Sequence, residues 1–284
     1  MLYKQNNTEK LDLALFQTPT CEYRGTPFWA WNCKLDEEML LKQIECLKQM
    51  GLGGFHMHTR SGMATKYLSD EFMHLIRQCV EKAKEEHMLA WLYDEDRWPS
   101  GAAGGYVTKT PKYRQKFLLF TKSEEANAVS QEEGLETGKP YLLGLFDVNL
   151  TPEGTLSSYQ KIESPQQAKG DLWYAYVCTP QPSGWYNNQT YVDTLSNEAM
   201  DEFIRITYHS YQKAVGEEFG KTIPAIFTDE PQFSRKQTLP FAQSQDDVVL
   251  PWTSDLADTY QKAYGMDLVA SLPELFWDLP DAAP

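Results

Sequence analysis

The sequence predicts an α/β fold of the TIM (β/α)8-barrel type, incomplete at about four strand–helix units, with a mostly β insertion after strand three. Three observations predict it. Short apolar runs alternate with amphipathic helical stretches, the pattern of parallel strands that need crossover helices. Each of the four runs ends in polar and aromatic residues, as at the face where barrels build their sites. No Gly-x-Gly-x-x-Gly or Walker-type glycine loop follows any run, which removes the best support for a doubly wound nucleotide-binding sheet.

The elements follow in order. Residues 1–26 read as a polar N-terminal arm. Residues 27–98 hold the first part of the barrel, beginning with the aromatic strand in Thr26-Pro-Phe-Trp-Ala-Trp-Asn32. Asp36 opens a helix whose Leu40, Leu41, Ile44 and Leu47 recur at helical spacing, and Gly51 closes it. Leu52 to His58 is the second strand. Ser69 caps a helix with Phe72, Leu75, Ile76, Cys79, Val80 and Ala83 on one face. Met88 to Tyr93 is the third strand, ending in Asp94-Glu-Asp-Arg-Trp-Pro-Ser-Gly101. The rhythm then breaks over 99–192, a β-rich insertion with strands at Phe117–Phe120, Tyr141–Val148 and Leu172–Val177, expected to overhang the site face. Residues 193–284 are expected to resume the barrel. A helix over 196–219 leads to a fourth strand, Thr222–Thr228, and two helical stretches follow near 254–264 and 268–277. A barrel needs eight strands, and an open half would leave exposed parallel edges. The expectation is therefore downstream domains or self-association completing the barrel, unless strands are undercounted.

Composition bounds the function. In 284 residues, 26 Lys and Arg face 40 Asp and Glu, a formal charge of −14, which argues against a nucleic-acid surface. Apolar residues make up 42% and aromatics 13%, too many for a disordered chain. No window reaches the roughly 18 apolar residues of a membrane helix, so no membrane partner is expected. The opening Met1-Leu-Tyr-Lys4 has no apolar leader, and five cysteines without a Cys-x-x-Cys pair suit a reducing compartment. Both point to a cytoplasmic location. Cys46 and Cys79 are expected on apolar helix faces.

Phe227-Thr-Asp-Glu-Pro231 is the leading catalytic candidate. Glycoside hydrolysis needs two carboxyl groups across the scissile bond, one of them protonated. Glu230 fits the general acid and Asp229 an orienting neighbour; the alternative is that both cap the following turn. Asp94, Asp96, Arg97 and Trp98 fit a sugar subsite, carboxylates holding hydroxyls and the indole stacking on a pyranose face, or else a salt-bridged rim loop. Divalent-cation binding by Asp94, Glu95 and Asp96 lacks the EF-hand spacing. His56 and His58, two apart on a strand, point to one side; they resemble a His-x-His metal pair without later ligands, so one His is expected to contact substrate while the other packs, with no cofactor expected and a divalent cation left as the alternative. Trp29, Trp31 and Asn32 at the first strand end fit a sugar platform, burial in the core being the commoner outcome for one of the two Trp. Asp193 is either a substrate contact or a charge favoured at the start of the next helix.

Taken together, Pro27–Asn32, Gly53-Gly-Phe-His-Met-His-Thr-Arg60, Tyr93–Gly101, Tyr191-Val-Asp193 and Phe227–Pro231 resemble the amino-terminal half of large bacterial glycoside hydrolases related to the α-L-rhamnosidases of glycoside hydrolase family 106. The resemblance covers about residues 24–280. It implies a (β/α)8 catalytic domain with appended β-sandwich domains, an oligosaccharide or glycoside substrate of plant or microbial origin, and a second catalytic carboxylate on a later strand. It brings Arg60 into the substrate-binding set. Asp229-Glu230-Pro231 also resembles the Asn-Glu-Pro of retaining-hydrolase barrels, in which that Glu is the acid/base. The expected function is thus a carboxylate-based glycosidase with Glu230 as acid/base. The alternatives are a non-catalytic carbohydrate-binding protein of the same fold and a metal-dependent hydrolase using His56 and His58.

Overall fold

The computed structural model describes residues 9–280; the first eight residues of the expected arm and the tail from 281 lie outside the described residues. Asp12 caps a short helix, α1 (Leu13–Gln17), by accepting from the N–H groups of Ala14 and Leu15. The chain then enters β1 (Phe28–Trp31). Asp36 caps α2 (Glu37–Gln49) through the Met39 N–H, and Gly51 leaves it at φ 86°, a conformation that favours glycine. β2 (Gly54–Thr59), α3 (Asp70–Glu85, capped by Ser69) and β3 (Leu89–Tyr93) follow. Next come β4 (Lys116–Thr121), α4 (Gln131–Thr137), β5 (Tyr141–Leu150), β6 (Leu156–Ile162) and β7 (Asp171–Cys178). α5 (Asn197–Ile206) and α6 (Tyr208–Val215) precede β8 (Ile226–Phe227), β9 (Val248–Trp252) and α7 (Leu256–Tyr264).

The fold is mixed α/β, with a parallel sheet ordered β1-β2-β3-β8 and an antiparallel sheet ordered β6-β5-β7-β4-β9. Among the described residues the four parallel strands do not close into a barrel. Two compact units contain the sheets: one reaches Tyr106 and resumes over Asp201–Pro231, and the other takes Val107–Met200 and the chain from Gln232 on.

In the first unit, period-two alternation divides the parallel sheet cleanly. Trp29, Trp31, Phe55, Met57, Ala90 and Leu92 face one way and form the core with Ile44 of α2, Phe72, Ile76 and Cys79 of α3, and Tyr211 and Val215 of α6. The other face carries Phe28, His56, His58, Trp91, Tyr93 and Phe227, whose rings meet one another at centroid distances from 4.0 Å (His58–Tyr93) to 6.2 Å (Tyr93–Phe227). Helices thus cover one face, unlike a doubly wound sheet, which is covered on both.

The fourth strand is shorter than the expected Thr222–Thr228. Ala90 N–H reaches the Thr222 carbonyl and Leu92 N–H that of Ala225, so two residues of β3 span three of the partner. Pro224 sits within that slip and has no N–H for a ladder, which leaves Ile226 and Phe227 in register with Leu92 and Tyr93. The helix expected over 196–219 is likewise divided at buried Thr207 into α5 and α6.

In the second unit the expected strands are β4, β5 and β7, and two more, β6 and β9, were not anticipated. β9 corrects the boundary of the barrel continuation. Residues from Gln232 belong with the antiparallel sheet, where β9 pairs with β4 and Lys116 aligns with Trp252. Its inner face gathers Phe120, Phe146, Trp173, Val248, Trp252 and Trp277. The stretch expected as a helix over 268–277 is a single turn at Leu272–Leu275, containing Pro273. Cys46 is exposed rather than packed, whereas Cys79 is buried, and all five cysteines are free.

The closest main-chain approach in the parallel sheet generates a stability prediction. A Cβ on Gly54 would overlap the Leu89 carbonyl, whereas one on Gly51 would meet open space and only its positive φ would resist. Gly54→Ala should therefore cost several kcal/mol, and Gly51→Ala about 1 kcal/mol. Urea denaturation of both variants checks this, and equal midpoints would remove the packing argument.

Candidate active site

The candidate site of the first unit lies past the carboxyl ends of β2, β3 and β8, and the loop after β3 is its frame. Glu95 begins that loop fully buried, and its carboxylate turns inward. Oε1 accepts from the Asp96 N–H at 2.8 Å and from the Gly104 N–H; Oε2 accepts from Gly101 at 3.0 Å and Ala103 at 2.7 Å. Positive φ at Gly101, Ala103, Gly104 and Gly105 aims these donors at one point, a concave nest for an anion. The chain fills the nest with its own carboxylate. Burial pushes the Glu95 carboxyl up to about 8, against the pull of the backbone donors. The Thr59 hydroxyl at the end of β2 donates to the Glu95 carbonyl, tying the same loop to the neighbouring strand.

A second clamp joins β3 to β8. Ser100 donates its N–H to the Asp229 carbonyl at 2.9 Å, its hydroxyl accepts from the Asp229 N–H at 2.8 Å, and that hydroxyl donates to Asp94 Oδ1 at 2.6 Å. Tyr208, at the start of α6, donates to the other Asp94 oxygen at 2.7 Å. Asp94 is thereby an internal anchor. It is buried, both oxygens are taken, and burial raises its pKa.

Around these clamps further groups collect, Tyr93 and His58 buried and Glu230 exposed. Tyr93 OH lies 3.4 Å from Asp229 Oδ2, and His58 Nε2 lies 4.0 Å from the same oxygen. Burial lowers the pKa of both His56 and His58, favouring neutral rings, although Asp229 draws that of His58 upward. The Trp98 indole N–H donates to Glu230 Oε2 at 3.0 Å. Glu230 is exposed and holds φ 27°, a conformation rare for a non-glycine residue. Arg97 pairs with Asp96 at 2.8 Å on the outer side of the loop.

The sequence-predicted residues divide accordingly. Asp229, Glu230, Asp94, Asp96, Arg97 and Trp98 come together on the loops just described, beside His58 near the end of β2. Asn32 and Arg60 are exposed just past β1 and β2, and the Arg60 N–H bonds the Trp31 carbonyl. His56 points to the same side as His58 but stacks on Trp91, 5.0 Å between centroids. Trp31 is corrected from a sugar platform to a core residue. It is 1% exposed and packs edge-on against Trp29 and Phe72, because alternation along β1 turns it toward the helices. Asp193 belongs to the second unit, buried with Lys116 at 3.4 Å and bonded to the Thr253 hydroxyl and the Leu195 N–H. The carboxylate thus compensates a buried ammonium and also accepts a backbone N–H just before α5.

Glu95 and Ser100 were missed as site residues. The signal for Glu95 was the Gly-Ala-Ala-Gly-Gly run that follows it, since such a run supplies the conformations a nest requires. Among the described residues, no group of three or more His, Cys, Asp or Glu side chains is placed to hold a metal. No described helix is long and apolar enough to cross a membrane.

No protein-family model matches the sequence, and no curated protein matches it. Among solved structures, the chain is similar to a rhamnosidase from Novosphingobium sp. PP1Y, at 12% identity and a TM-score of 0.53. The likeness covers 94% of this chain and 42% of that one, so the chain spans less than half the length of its structural neighbour. At that identity the likeness is one of fold.

The Glu95 nest sets a pH dependence. A carboxyl raised from 4.5 to about 8 in the folded chain contributes stability that is present below pH 4.5 and is lost as pH rises through 8. The lowered histidines act oppositely, contributing above their usual range and losing it as pH falls. Glu95→Gln places an amide NH2 against backbone donors, costing about 1–3 kcal/mol, and it also removes the carboxyl titration. Its deficit relative to the unsubstituted chain should therefore shrink between about pH 5 and 8. Urea midpoints across that range test this; a constant deficit would show that Glu95 does not titrate there.

Proposed function

We propose that the chain supplies four parallel strands, with the helices that connect them, of a (β/α)8 catalytic domain of a glycosidase, α-L-rhamnosidase-like, acting on an oligosaccharide or glycoside. The sequential parallel order β1-β2-β3-β8, helices on one face and site loops at the carboxyl ends of the strands support the barrel. The fold likeness to a rhamnosidase supports the substrate class. The rest of the wall would come from further strands.

The observation that carries the reading is Glu230, an exposed carboxyl three residues past the end of a parallel strand, with one oxygen held by Trp98. In this reading Glu230 gives its proton to the glycosidic oxygen as the bond to the anomeric carbon breaks. The leaving group departs neutral, and water or a second carboxylate takes the anomeric carbon. Asp229, held by its backbone to Ser100, orients substrate hydroxyls, with the buried Tyr93 and His58 packed against its carboxylate as positioning residues. The Trp98 ring offers an apolar face to the sugar, and Asn32, Arg60, Asp96 and Arg97 are the polar groups on the surrounding loops.

Glu230→Gln in the natural protein should lower turnover on an unactivated rhamnoside by about 10²–10⁴-fold with little change in affinity. The loss should be smaller on a 4-nitrophenyl rhamnoside, whose leaving group needs little protonation. A near-normal rate on the unactivated glycoside would remove Glu230 from the acid role. Saturable glycan binding without cleavage by the unsubstituted protein would favour a binding protein instead.

A further inference from the structure

The second unit carries an aromatic cavity that the reading above leaves unused. Its volume is about 410 Å³, within the roughly 300–1,000 Å³ of small-ligand sites, and it is lined by Gln115, Phe117, Trp185, Tyr186, Phe233 and Arg235 among others. A tight turn presents two of these rings. The Gln189 N–H bonds the Tyr186 carbonyl at 3.1 Å across Asn187 and Asn188, both left-handed at φ 58° and 61°. The Asn188 N–H reaches back to the Ser183 carbonyl at 2.8 Å. Two successive residues at positive φ define a primed turn, which asparagine tolerates better than other side chains.

The turn displays Trp185 at 53% exposure, while Tyr186 stacks on Tyr191 at 4.6 Å and is fixed from behind. Phe233, 54% exposed, lines the same cavity. Leaving two large rings in water costs hydrophobic stabilisation, which a ligand with an apolar face would recover. The Arg235 guanidinium lies over the Trp185 ring, 5.7 Å from its centroid, and is the charged side chain of the lining. Gln115, 6% exposed, adds a buried amide whose N–H lies 3.5 Å from the Gln232 carbonyl, a weak bond.

Stacking rings, a buried amide and one guanidinium suit a pyranose ring bearing a carboxylate. The ring's C–H face stacks on the indole, and guanidinium pairs with carboxylate bidentately. Arg235, with no carboxylate among the described lining residues to offset it, favours an anionic ligand in this cavity. We propose that the Trp185–Phe233–Arg235 cavity binds a uronic acid residue of a glycan, at a site distinct from the Glu230 carboxylates. The proposal rests on the glycosidase reading only for the class of ligand.

Titration of the full chain with D-glucuronic acid, D-galacturonic acid and methyl β-D-glucopyranoside tests it, read by tryptophan fluorescence and calorimetry. A uronate should saturate at least about tenfold more tightly than the neutral glucoside, and added salt should narrow the gap. Arg235→Gln should bring the uronate down to the neutral affinity. Trp185→Ala should abolish saturation, and Trp185→Phe should restore most of it, which separates a lost platform from a misfolded turn. Equal affinity for uronate and glucoside, or uronate binding unchanged in Trp185→Ala or lost in Trp98→Ala instead, would overturn the proposal. Rhamnoside cleavage measured on the same samples keeps the two readings apart. Cleavage without Trp185-dependent uronate binding sinks this inference alone, and such binding without cleavage sinks the glycosidase reading alone.

Discussion

The carboxylate of Glu95, enclosed by four backbone N–H groups at the end of β3, is the constraint on which the candidate site depends. A loop that winds through left-handed conformations at four of five positions between Gly101 and Gly105 presents converging donors. Left without an acceptor in a buried place, such donors would each cost free energy. Glu95 supplies acceptors for all of them and so converts a glycine-rich segment into a fixed frame. Ser100 then lies where its hydroxyl can hold Asp94 and the backbone of Asp229 together. Trp98, four residues before Ala102 in the same loop, can meet Glu230 only because that frame is set.

The two faces of the parallel sheet have unequal chemistry, and this follows from strand alternation. One face is aliphatic and aromatic and is sealed by α2, α3 and α6. The opposite face is a sheet of rings, Phe28, His56, His58, Trp91, Tyr93 and Phe227, in which the histidines are kept neutral by burial. Phe28 alone is 57% exposed there. The histidines are thereby part of an aromatic face rather than isolated polar groups.

Several site residues were legible as a cluster but not in their roles. Asp94, Asp96, Arg97 and Trp98 stand within five residues, and the sequence places them all at a strand end. It does not say that the first is buried with both oxygens occupied while Asp96 and Trp98 are partly buried and Arg97 is exposed. The difference arises from Tyr208 on α6 and Ser100 in the loop, partners 114 and 6 positions away in sequence. Trp31 shows the converse. Its neighbour Asn32 is exposed, yet one step of alternation along β1 places the indole in the core. Asp193 was readable as a carboxylate near a helix start, but Lys116 and Thr253, which decide its environment, come from β4 and from the chain just after β9.

The sequence by itself determined what local physics controls: the caps of α2 and α3 by Asp36 and Ser69, the helical faces, the first three parallel strands, the β character of the segment after them, and the position of Asp229-Glu230 beyond an apolar run. Only the tertiary structure decided which strands share a sheet and which carboxylates are buried. β9 was invisible as a strand because Val-Val-Leu-Pro-Trp is short and holds a proline, and it exists through its ladder with β4. The open parallel sheet, the pairing of the residues after Gln232 with the antiparallel sheet, and the Glu95 nest have one cause in common. Each depends on a hydrogen bond or a packed face supplied by residues distant in the chain or by a backbone conformation, and neither is written in the periodicity of the segment concerned.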